Sequence, residues 1–321
     1  MKARRQRRAR HRKILVLSLA AALVAVVAIA VYAYSSLESP MEAMVGKPVS
    51  SDVYNRLYGV ATSSFGTSNR TLLSEVRPTF GQAFASNGKP IVLFVSADYC
   101  PFCAFQRWPL VIALMRFGNF TNLSYMLSSP TDVYANSPTF SFYQSTYASK
   151  YIVFQGYEEA DRSENPLQPA PSNYSSLFQQ YGHGAYPFLD FANRYYVSGS
   201  FEYPNLLAGK DWNQIAGLLG GSSQLSEQVI DSAAVITSAI CKVDGGQPAS
   251  VCSVGSVIGM TQSLAWASQS ARVTLTAGTT SASPSAWATV QYGQMAWSTT
   301  SSTKTRYDTP MADITQRGIR A

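Results

Sequence analysis

Two cysteines separated by two residues, Cys100 and Cys103, are the part of this sequence best suited to chemistry. They follow a short apolar segment, residues 91–95, which is rich in β-branched side chains and therefore predicts a buried strand. Apolar residues then recur at helical spacing over residues 104–115, so Cys100 is expected at the N-terminus of a helix. Free backbone N–H groups and the positive end of the helix dipole stabilise a thiolate there. The spacing predicts a nucleophilic thiol with a second thiol one turn away.

Reversible disulfide exchange is the chemistry that this arrangement favours. Cys100 would form a mixed disulfide with a substrate, and Cys103 would resolve it. Because the nucleophile should be exposed and have a low pKa, Cys100 is expected to react faster than Cys103. Pro101 suits the first helical turn, where a missing N–H has no cost. Pro101 and Phe102 are both expected to contact the substrate.

Metal binding is the competing interpretation of a Cys-x-x-Cys motif. The chain has only two histidines, His11 and His183, and its other cysteines lack this spacing, so we predict no metal site. The same scarcity argues against a histidine-based hydrolase. No phosphate-binding loop or dinucleotide fingerprint is apparent, and no cofactor is predicted.

A second segment, residues 182–197, supplies context for the cysteines. Glycine-rich residues precede Pro187, and an apolar strand, a polar turn and another strand follow it. The order of strand, Cys-x-x-Cys helix and later proline-strand-turn-strand resembles the thioredoxin fold, an α/β three-layer sandwich, over residues 75–220. The resemblance implies that the Tyr186–Pro187 bond is cis and lies against the cysteines, with the Tyr186 backbone pairing with an extended substrate. An ordinary trans proline at the start of an edge strand is the alternative.

Residues 96–104, continued by residues 107–110, are similar to an archaeal membrane-anchored, thioredoxin-like family known as domain of unknown function 929. The resemblance implies the fold and a membrane anchor but no substrate. Many thioredoxin-like enzymes carry a buried acid six residues before the first cysteine, where this sequence has Phe94. The acceptor of the Cys103 proton is therefore open between Asp98, Asp190 and water.

The charge of the chain is concentrated at its N-terminus. The net charge is +7, but eight of the 25 basic residues, and no acidic residue, lie in residues 1–13. The rest of the chain is close to neutral, so no nucleic-acid partner is predicted. Residues 14–34 are uncharged and long enough to cross a bilayer, which predicts contact with membrane lipid. The basic flank should stay in the cytoplasm and the main domain outside it; a cleaved signal peptide and a buried soluble helix are the alternatives.

An extracytoplasmic location tolerates disulfides. Cys241 and Cys252 close a short loop between two predicted helices, and we interpret them as a structural disulfide. A relay or resolving role in exchange is the alternative.

The sequence divides into six predicted segments. Residues 123–181 exceed what a minimal version of the fold needs, and this aromatic insertion would either shape a substrate groove or pack the core. The segments are a basic tail (1–13), a transmembrane helix (14–34), a spacer (35–74), a thioredoxin-like domain (75–220), a helical extension (221–272) and a Ser/Thr-rich, weakly ordered tail (273–321).

Together these features predict a membrane-anchored, extracytoplasmic thiol–disulfide oxidoreductase. Its partners would be thiols or disulfides of secreted or surface proteins, together with a redox partner that the sequence does not identify. The alternative is a docking module in which Cys100 and Cys103 form a permanent disulfide. The sequence does not specify whether exchange runs as oxidation, reduction or isomerisation.

Overall fold

The computed structural model describes residues 2–35, 40–65, 69–268, 273–278, 285–292 and 295–297. The chain forms two compact units, Met1–Val45 and Gly46–Ala321. The first unit contains helix α1 (Lys2–Ser35) and a short 3-10 helix, Glu42–Met44. Within α1, the 19 residues Lys13–Val31 are apolar and long enough to span a membrane. The prediction of one long apolar helix near the N-terminus is confirmed.

The second unit combines a mixed sheet with helices, which confirms the predicted α/β class. It also contains two short 3-10 helices, Arg70–Glu75 and Pro204–Leu207. Its helices and strands, in chain order, are α2 (Ser51–Thr62), β1 (Arg77–Pro78), β2 (Ala85–Ser86), β3 (Lys89–Ser96), α3 (Pro101–Met115), β4 (Gly118–Thr121), β5 (Ser124–Leu127), β6 (Pro138–Ser141), β7 (Thr146–Ser149), β8 (Val153–Glu158), α4 (Ser172–Gly182), β9 (Phe188–Phe191), β10 (Tyr195–Ser198), α5 (Trp212–Leu218), α6 (Gln224–Val243), α7 (Ala249–Cys252), α8 (Gly255–Ser268), β11 (Val273–Gly278), β12 (Ser285–Tyr292) and β13 (Met295–Trp297).

Strand β3 lies in the middle of the main sheet and leads directly to the cysteine pair. It pairs in parallel with β8, from Ile91 opposite Val153 to Ser96 opposite Glu158. On its other side it pairs antiparallel with β9, which forms a hairpin with β10. Strand β1 pairs with β10, and the short β2 pairs with the start of β3. The continuous apolar run of β3 is explained by cover on both faces of the sheet.

The two faces of β3 pack against different partners. Leu93 and Val95 belong to a buried cluster with Leu177 and Phe178 of α4. The intervening Phe94 meets the ring of Phe142 edge-on, with centroids 5.7 Å apart. Helix α3 packs against α2, α6 and β6. The helix that carries the cysteines is thereby enclosed by elements from both ends of the unit.

The predicted insertion, residues 123–181, is shorter in the structure than expected. Strand β8 lies inside this range, yet it is a direct neighbour of β3 in the main sheet. Other strands of this region form two separate two-stranded antiparallel sheets, β4 with β7 and β5 with β6. Among the aromatic residues of β6 and β8, Phe140 is buried, and the half-buried Phe154 and Tyr157 pack against Phe142 and the α4 cluster. These contacts agree with the interpretation that the segment packs the core.

The predicted spacer also differs from the structure. Helix α2 begins after Ser50, whose hydroxyl accepts a hydrogen bond from the Val53 N–H at 3.3 Å. Val53, Leu57 and Val60 recur at helical spacing and are buried. Because α2 packs against α3 and α5, residues 46–65 belong to the folded unit rather than to a spacer.

The C-terminal region contains the second cysteine pair. Cys241 at the end of α6 and Cys252 at the end of α7 form a disulfide with Cα atoms 5.5 Å apart, which confirms the predicted pairing. The Ser/Thr-rich segment was expected to be weakly ordered, but β11, β12 and β13 form an antiparallel sheet. Threonine, valine and tryptophan favour strands, which accounts for the difference. Residues 298–321 lie outside the described residues.

Candidate functional site

The turn between β3 and α3 places Cys100 at the N-cap of the helix, as predicted. Its Sγ accepts a hydrogen bond from the Cys103 backbone N–H at 3.2 Å. Pro101 occupies the first helical position and is buried, so it does not offer the substrate surface that was expected of it. Both cysteines are free thiols. A sulfur held against the N–H groups of a helix end is well placed to carry negative charge.

The two thiols have opposite pKa shifts. The pKa of Cys100 is lowered, first by a hydrogen bond from the Cys103 side chain and also by the Cys103 N–H and the charge of Arg107. Burial raises the pKa of Cys103 well above its ordinary value, and the hydrogen bond to Cys100 adds to this. Of the two thiols, Cys100 is therefore the one that loses its proton more readily.

Accessibility is lower than the sequence predicted for a reactive thiol. Cys100 is 6% exposed and Cys103 is 0% exposed. Both pack with Ala97, and the half-buried side chains around this cluster are Tyr99, Phe102, Ala160 and Tyr186. The expectation of an exposed nucleophile is therefore corrected: Cys100 is buried, and three of the four half-buried side chains packed against its cluster are aromatic.

Aromatic contacts surround the pair on two sides. Phe102 meets the rings of Tyr134 and Tyr203 edge-on, with centroids 5.9 Å and 5.8 Å away. Tyr203 is 62% exposed, so this group extends to the surface. On the other side, Tyr99 and Tyr186 lie edge to face at 6.4 Å. The surface next to Cys100 is therefore apolar and aromatic.

Tyr186 and Pro187 lie beside the cysteines, as the resemblance implied. The Tyr186–Pro187 peptide bond is cis, as predicted. Tyr186 packs against the cysteine cluster and stacks on Phe178, with ring centroids 5.2 Å apart. Its hydroxyl donates a hydrogen bond of 2.5 Å to Oε2 of Glu159. These contacts fix the Tyr186 side chain, while Pro187 is buried.

A buried ionic trio, Arg107, Asp98 and Glu158, lies behind the cysteine turn. Arg107 donates through Nε to Glu158 Oε1 at 3.0 Å and through Nη2 to Glu158 Oε2 at 2.5 Å. Asp98 Oδ1 lies 3.6 Å from Arg107 Nη2. Asp98 Oδ2 also accepts a hydrogen bond from the Ser141 hydroxyl at 3.1 Å. All three charged side chains are buried, so their interactions are not screened by solvent.

Burial and the neighbouring charges together set the pKa values of Asp98 and Arg107. Burial and the charge of Glu158 raise the pKa of Asp98 to about 7, and Arg107 opposes this. For Arg107, burial alone would lower the pKa, but the charges of Glu158 and Asp98 outweigh burial, and the net pKa shift is upward. Arg107 therefore stays positive, while the charge of Asp98 changes in the neutral pH range.

The two carboxyl groups considered as acceptors of the Cys103 proton, Asp98 and Asp190, have different surroundings. Asp98 lies next to Arg107, whose charge acts on both cysteines. Asp190 is paired with Leu93 in the sheet, and Leu93 belongs to the cluster packed on α4. Phe94 itself is fully buried. Of the two carboxyl groups, Asp98 is the one joined to the cysteine turn by charge.

Sequence reasoning missed Arg107 and Glu158. Arg107 is a lone charge in an apolar helix, four residues after Cys103 and therefore on the same face. Glu158 ends a strand whose pairing with β3 the sequence did not reveal. Among the described residues, no group of three or more His, Cys, Asp or Glu side chains is arranged to hold a metal ion.

Comparison with known protein families gives a match to this chain. The model of the family described as Domain of unknown function (DUF929) matches residues 79–242. No curated protein and no solved structure matches the chain. The matched range contains the cysteine pair, the ionic trio and the Tyr186–Pro187 segment. Because it spans just over half of the 321 residues, the chain belongs to the DUF929 family.

Proposed function

We propose that this protein is a membrane-anchored, extracytoplasmic thiol–disulfide oxidoreductase that acts through Cys100 and Cys103 on secreted or surface proteins. The observation that carries the proposal is the placement of two free thiols at one helix N-terminus, with Cys100 Sγ at the N-cap and 3.2 Å from the Cys103 N–H. The opposite directions of their pKa shifts agree with this placement. A lowered pKa on the first cysteine supplies the nucleophile, and a retained proton on the second keeps it from competing.

The exchange would proceed in two balanced steps. The Cys100 thiolate attacks one sulfur of a substrate disulfide, a Cys100–substrate disulfide forms, and the other substrate sulfur leaves as a thiolate. Cys103 then loses its proton and attacks Cys100 Sγ, which releases the second substrate thiolate and leaves the enzyme pair oxidised. The substrate gains two electrons and the enzyme loses them. The reverse sequence would oxidise a substrate dithiol, and a separate redox partner would restore the starting form.

A thioredoxin-like fold is part of this proposal. Strand β3 has a parallel neighbour, β8, on one side and the antiparallel hairpin β9–β10 on the other, with Pro187 just before β9. This order supports the three-layer sandwich. Tyr186 packs against the cysteine cluster, which supports a role for its backbone in binding an extended substrate segment. The aromatic surface around Phe102 would contact apolar side chains of the same segment.

The location is argued from the N-terminal helix and its flank. Eight basic residues and no acidic one lie in residues 1–13, on the N-terminal side of the uncharged part of α1, and this asymmetry favours a cytoplasmic N-terminus. The domain that follows would lie outside the cytoplasm, anchored to lipid by residues 14–34. The Cys241–Cys252 disulfide is compatible with such a compartment.

Trapping tests the proposal directly. In Cys103→Ser, a substrate bound to Cys100 cannot be resolved, so mixed disulfides should accumulate in cells and run as adducts that reductant removes. Cys100→Ser is the matched control and should give none. Absence of adducts in Cys103→Ser, with the variant folded and present in the membrane, would refute exchange on protein substrates.

The low exposure of the cysteines favours a second candidate, a docking module with a permanent Cys100–Cys103 disulfide. The reduction potential of the pair separates the two candidates. A structural bond should have a potential below about −300 mV, and an exchange-active pair should lie above it.

A further inference from the structure

Arg107 is a fully buried charge immediately behind the cysteine turn. It lies one helical turn beyond Cys103 on α3 and is 0% exposed. Its Nη2 donates to the Ala97 carbonyl at 2.9 Å, and the same carbonyl accepts the Cys100 N–H at 3.2 Å. One carbonyl oxygen thus joins the guanidinium to the turn that presents Cys100.

Glu158 holds this guanidinium in place. The two residues share two hydrogen bonds in the fork geometry that restricts an arginine most strongly. Glu158 is itself oriented by the Ser96 hydroxyl at 2.6 Å and the Phe142 N–H at 3.2 Å. Since Glu158 is also paired with Ser96 in the sheet, the charge of Arg107 has a fixed position relative to the end of β3.

Two polar atoms of the trio lack hydrogen-bond partners, whereas a purely structural ion pair would have all of its polar atoms hydrogen-bonded. Neither Arg107 Nη1 nor Asp98 Oδ1 makes a hydrogen bond with another described residue, and both atoms are buried. Burying an ion costs free energy of desolvation unless each of its polar atoms has a hydrogen-bond partner. Apolar residues of similar volume would occupy the same space without this penalty. Because these two buried atoms lack hydrogen bonds and lie behind the cysteine turn, we attribute an electrostatic role to the trio.

We propose that Arg107 is a positioning residue for the cysteine pair: its guanidinium, fixed by Glu158, supplies the buried positive charge that stabilises the Cys100 thiolate, and ionised Asp98 weakens that charge. This inference rests on the proposed function for the exchange step itself. In that step Arg107 touches none of the reacting sulfurs. It favours the thiolate that begins the attack and leaves the bonds that form and break unchanged.

Asp98 makes the effect depend on pH. Below about pH 7 its carboxyl is protonated, and the trio is neutral because Arg107 and Glu158 cancel. Above that pH the trio carries a net charge of −1, which opposes a second negative charge on Cys100. Besides the members of the trio, the ionisable groups that interact with it are Asp161, in the loop that follows β8, and Cys100 and Cys103 at the start of α3.

The test measures the pH at which Cys100 becomes reactive. The reduced full-length chain in detergent is treated with iodoacetamide at pH 5 to 9, and modification of Cys100 is followed by peptide mass spectrometry. Arg107→Gln should raise the midpoint by about one pH unit, so that Cys100 reacts roughly tenfold more slowly at pH 6. Arg107→Lys keeps a positive charge without the fork to Glu158, so its midpoint should lie between those of the wild type and Arg107→Gln. Asp98→Asn should lower the midpoint.

Opposite shifts from Arg107→Gln and Asp98→Asn are the result that a structural role would not produce. Arg116→Gln is the matched control, because it removes the same charge from the residue that follows the other end of α3 and should leave the midpoint unchanged. Lower thermal stability in every variant with no shift of the midpoint would overturn the proposal. If Arg107→Gln does not fold, Asp98→Asn decides: an unchanged midpoint overturns the proposal and a lowered one supports it.

Failure of the proposed function would look different. Absence of trapped adducts in Cys103→Ser, together with opposite midpoint shifts, would refute exchange with proteins and leave the control of Cys100 by Arg107 in place. Adducts without midpoint shifts would refute the role of Arg107 alone.

Discussion

Asp190 places an ionisable group inside the main sheet, where its protonation should control stability. It is 0% exposed, and Oδ1 accepts the Asn193 N–H at 2.7 Å. Oδ2 is buried and accepts no hydrogen bond from another described residue. Burial raises the pKa of this carboxyl from 3.8 to about 7. Asp190→Asn keeps the oxygen that accepts the Asn193 N–H and removes the charge.

The direction of the pH effect on stability follows from the pH at which the folded and the unfolded chain each release the Asp190 proton. The unfolded chain loses it near pH 4, whereas the folded chain holds it until about pH 7. Between these values the free energy of unfolding of the wild type falls as the pH rises, by about 1.4 kcal/mol per unit for this group. Asparagine is neutral in both states. The stability of Asp190→Asn relative to the wild type should therefore increase by about 4 kcal/mol between pH 4 and pH 8.

Equilibrium urea unfolding at several pH values measures this difference, with the fluorescence of the buried Trp108 and Trp212 as the signal. Asparagine also places an amide in the apolar surroundings of Oδ2, but that cost is independent of pH and cancels in the comparison. Glu75→Gln, at an exposed carboxylate, controls for general effects of lost charge. A stability difference that is the same at pH 4 and pH 8 would refute the reasoning.

Two further substitutions test the fold. Leu57→Ala on α2 should lower the free energy of unfolding by about 2–5 kcal/mol, because Leu57 is fully buried in a helix that packs on α3; a neutral effect in urea unfolding would restore the spacer interpretation. Replacing Cys241 and Cys252 by serine should cost about 2–3 kcal/mol through the loss of the cross-link, measured by the thermal midpoint without reductant, and should leave trapping by Cys103→Ser intact. Loss of trapping would instead favour the relay role.

The features that the sequence predicted correctly are local ones. A β-branched apolar run followed by a helical repeat was enough to place Cys100 at an N-cap, because both patterns lie within 25 residues. The apolar stretch of α1 is equally local. The disulfide between Cys241 and Cys252 needed only a short loop between two helices.

The features that were missed depend on contacts between distant segments or on a weak local signal. Strand β8 resembles an insertion in sequence, and only its pairing with β3, some 60 residues earlier, makes it part of the sheet. Helix α2 did carry a signal, since Val53, Leu57 and Val60 follow an N-cap serine at helical spacing. The prolines on its N-terminal side favoured a linker instead.

Helical periodicity predicts one feature of the ionic trio, the position of Arg107, but not its burial. Cys100, Cys103 and Arg107 are spaced i, i+3 and i+7, so the periodicity of α3 places a positive charge on the face that carries both thiols. What periodicity cannot supply is the burial of that charge, because an arginine on a helix face is usually solvated. Burial here depends on Glu158, 51 residues away and brought alongside β3 by strand pairing. The central strand β3, which leads to Cys100, therefore also positions the charge of Arg107 through its pairing with β8. A change that disturbs this pairing should alter the reactivity of Cys100 without touching either cysteine.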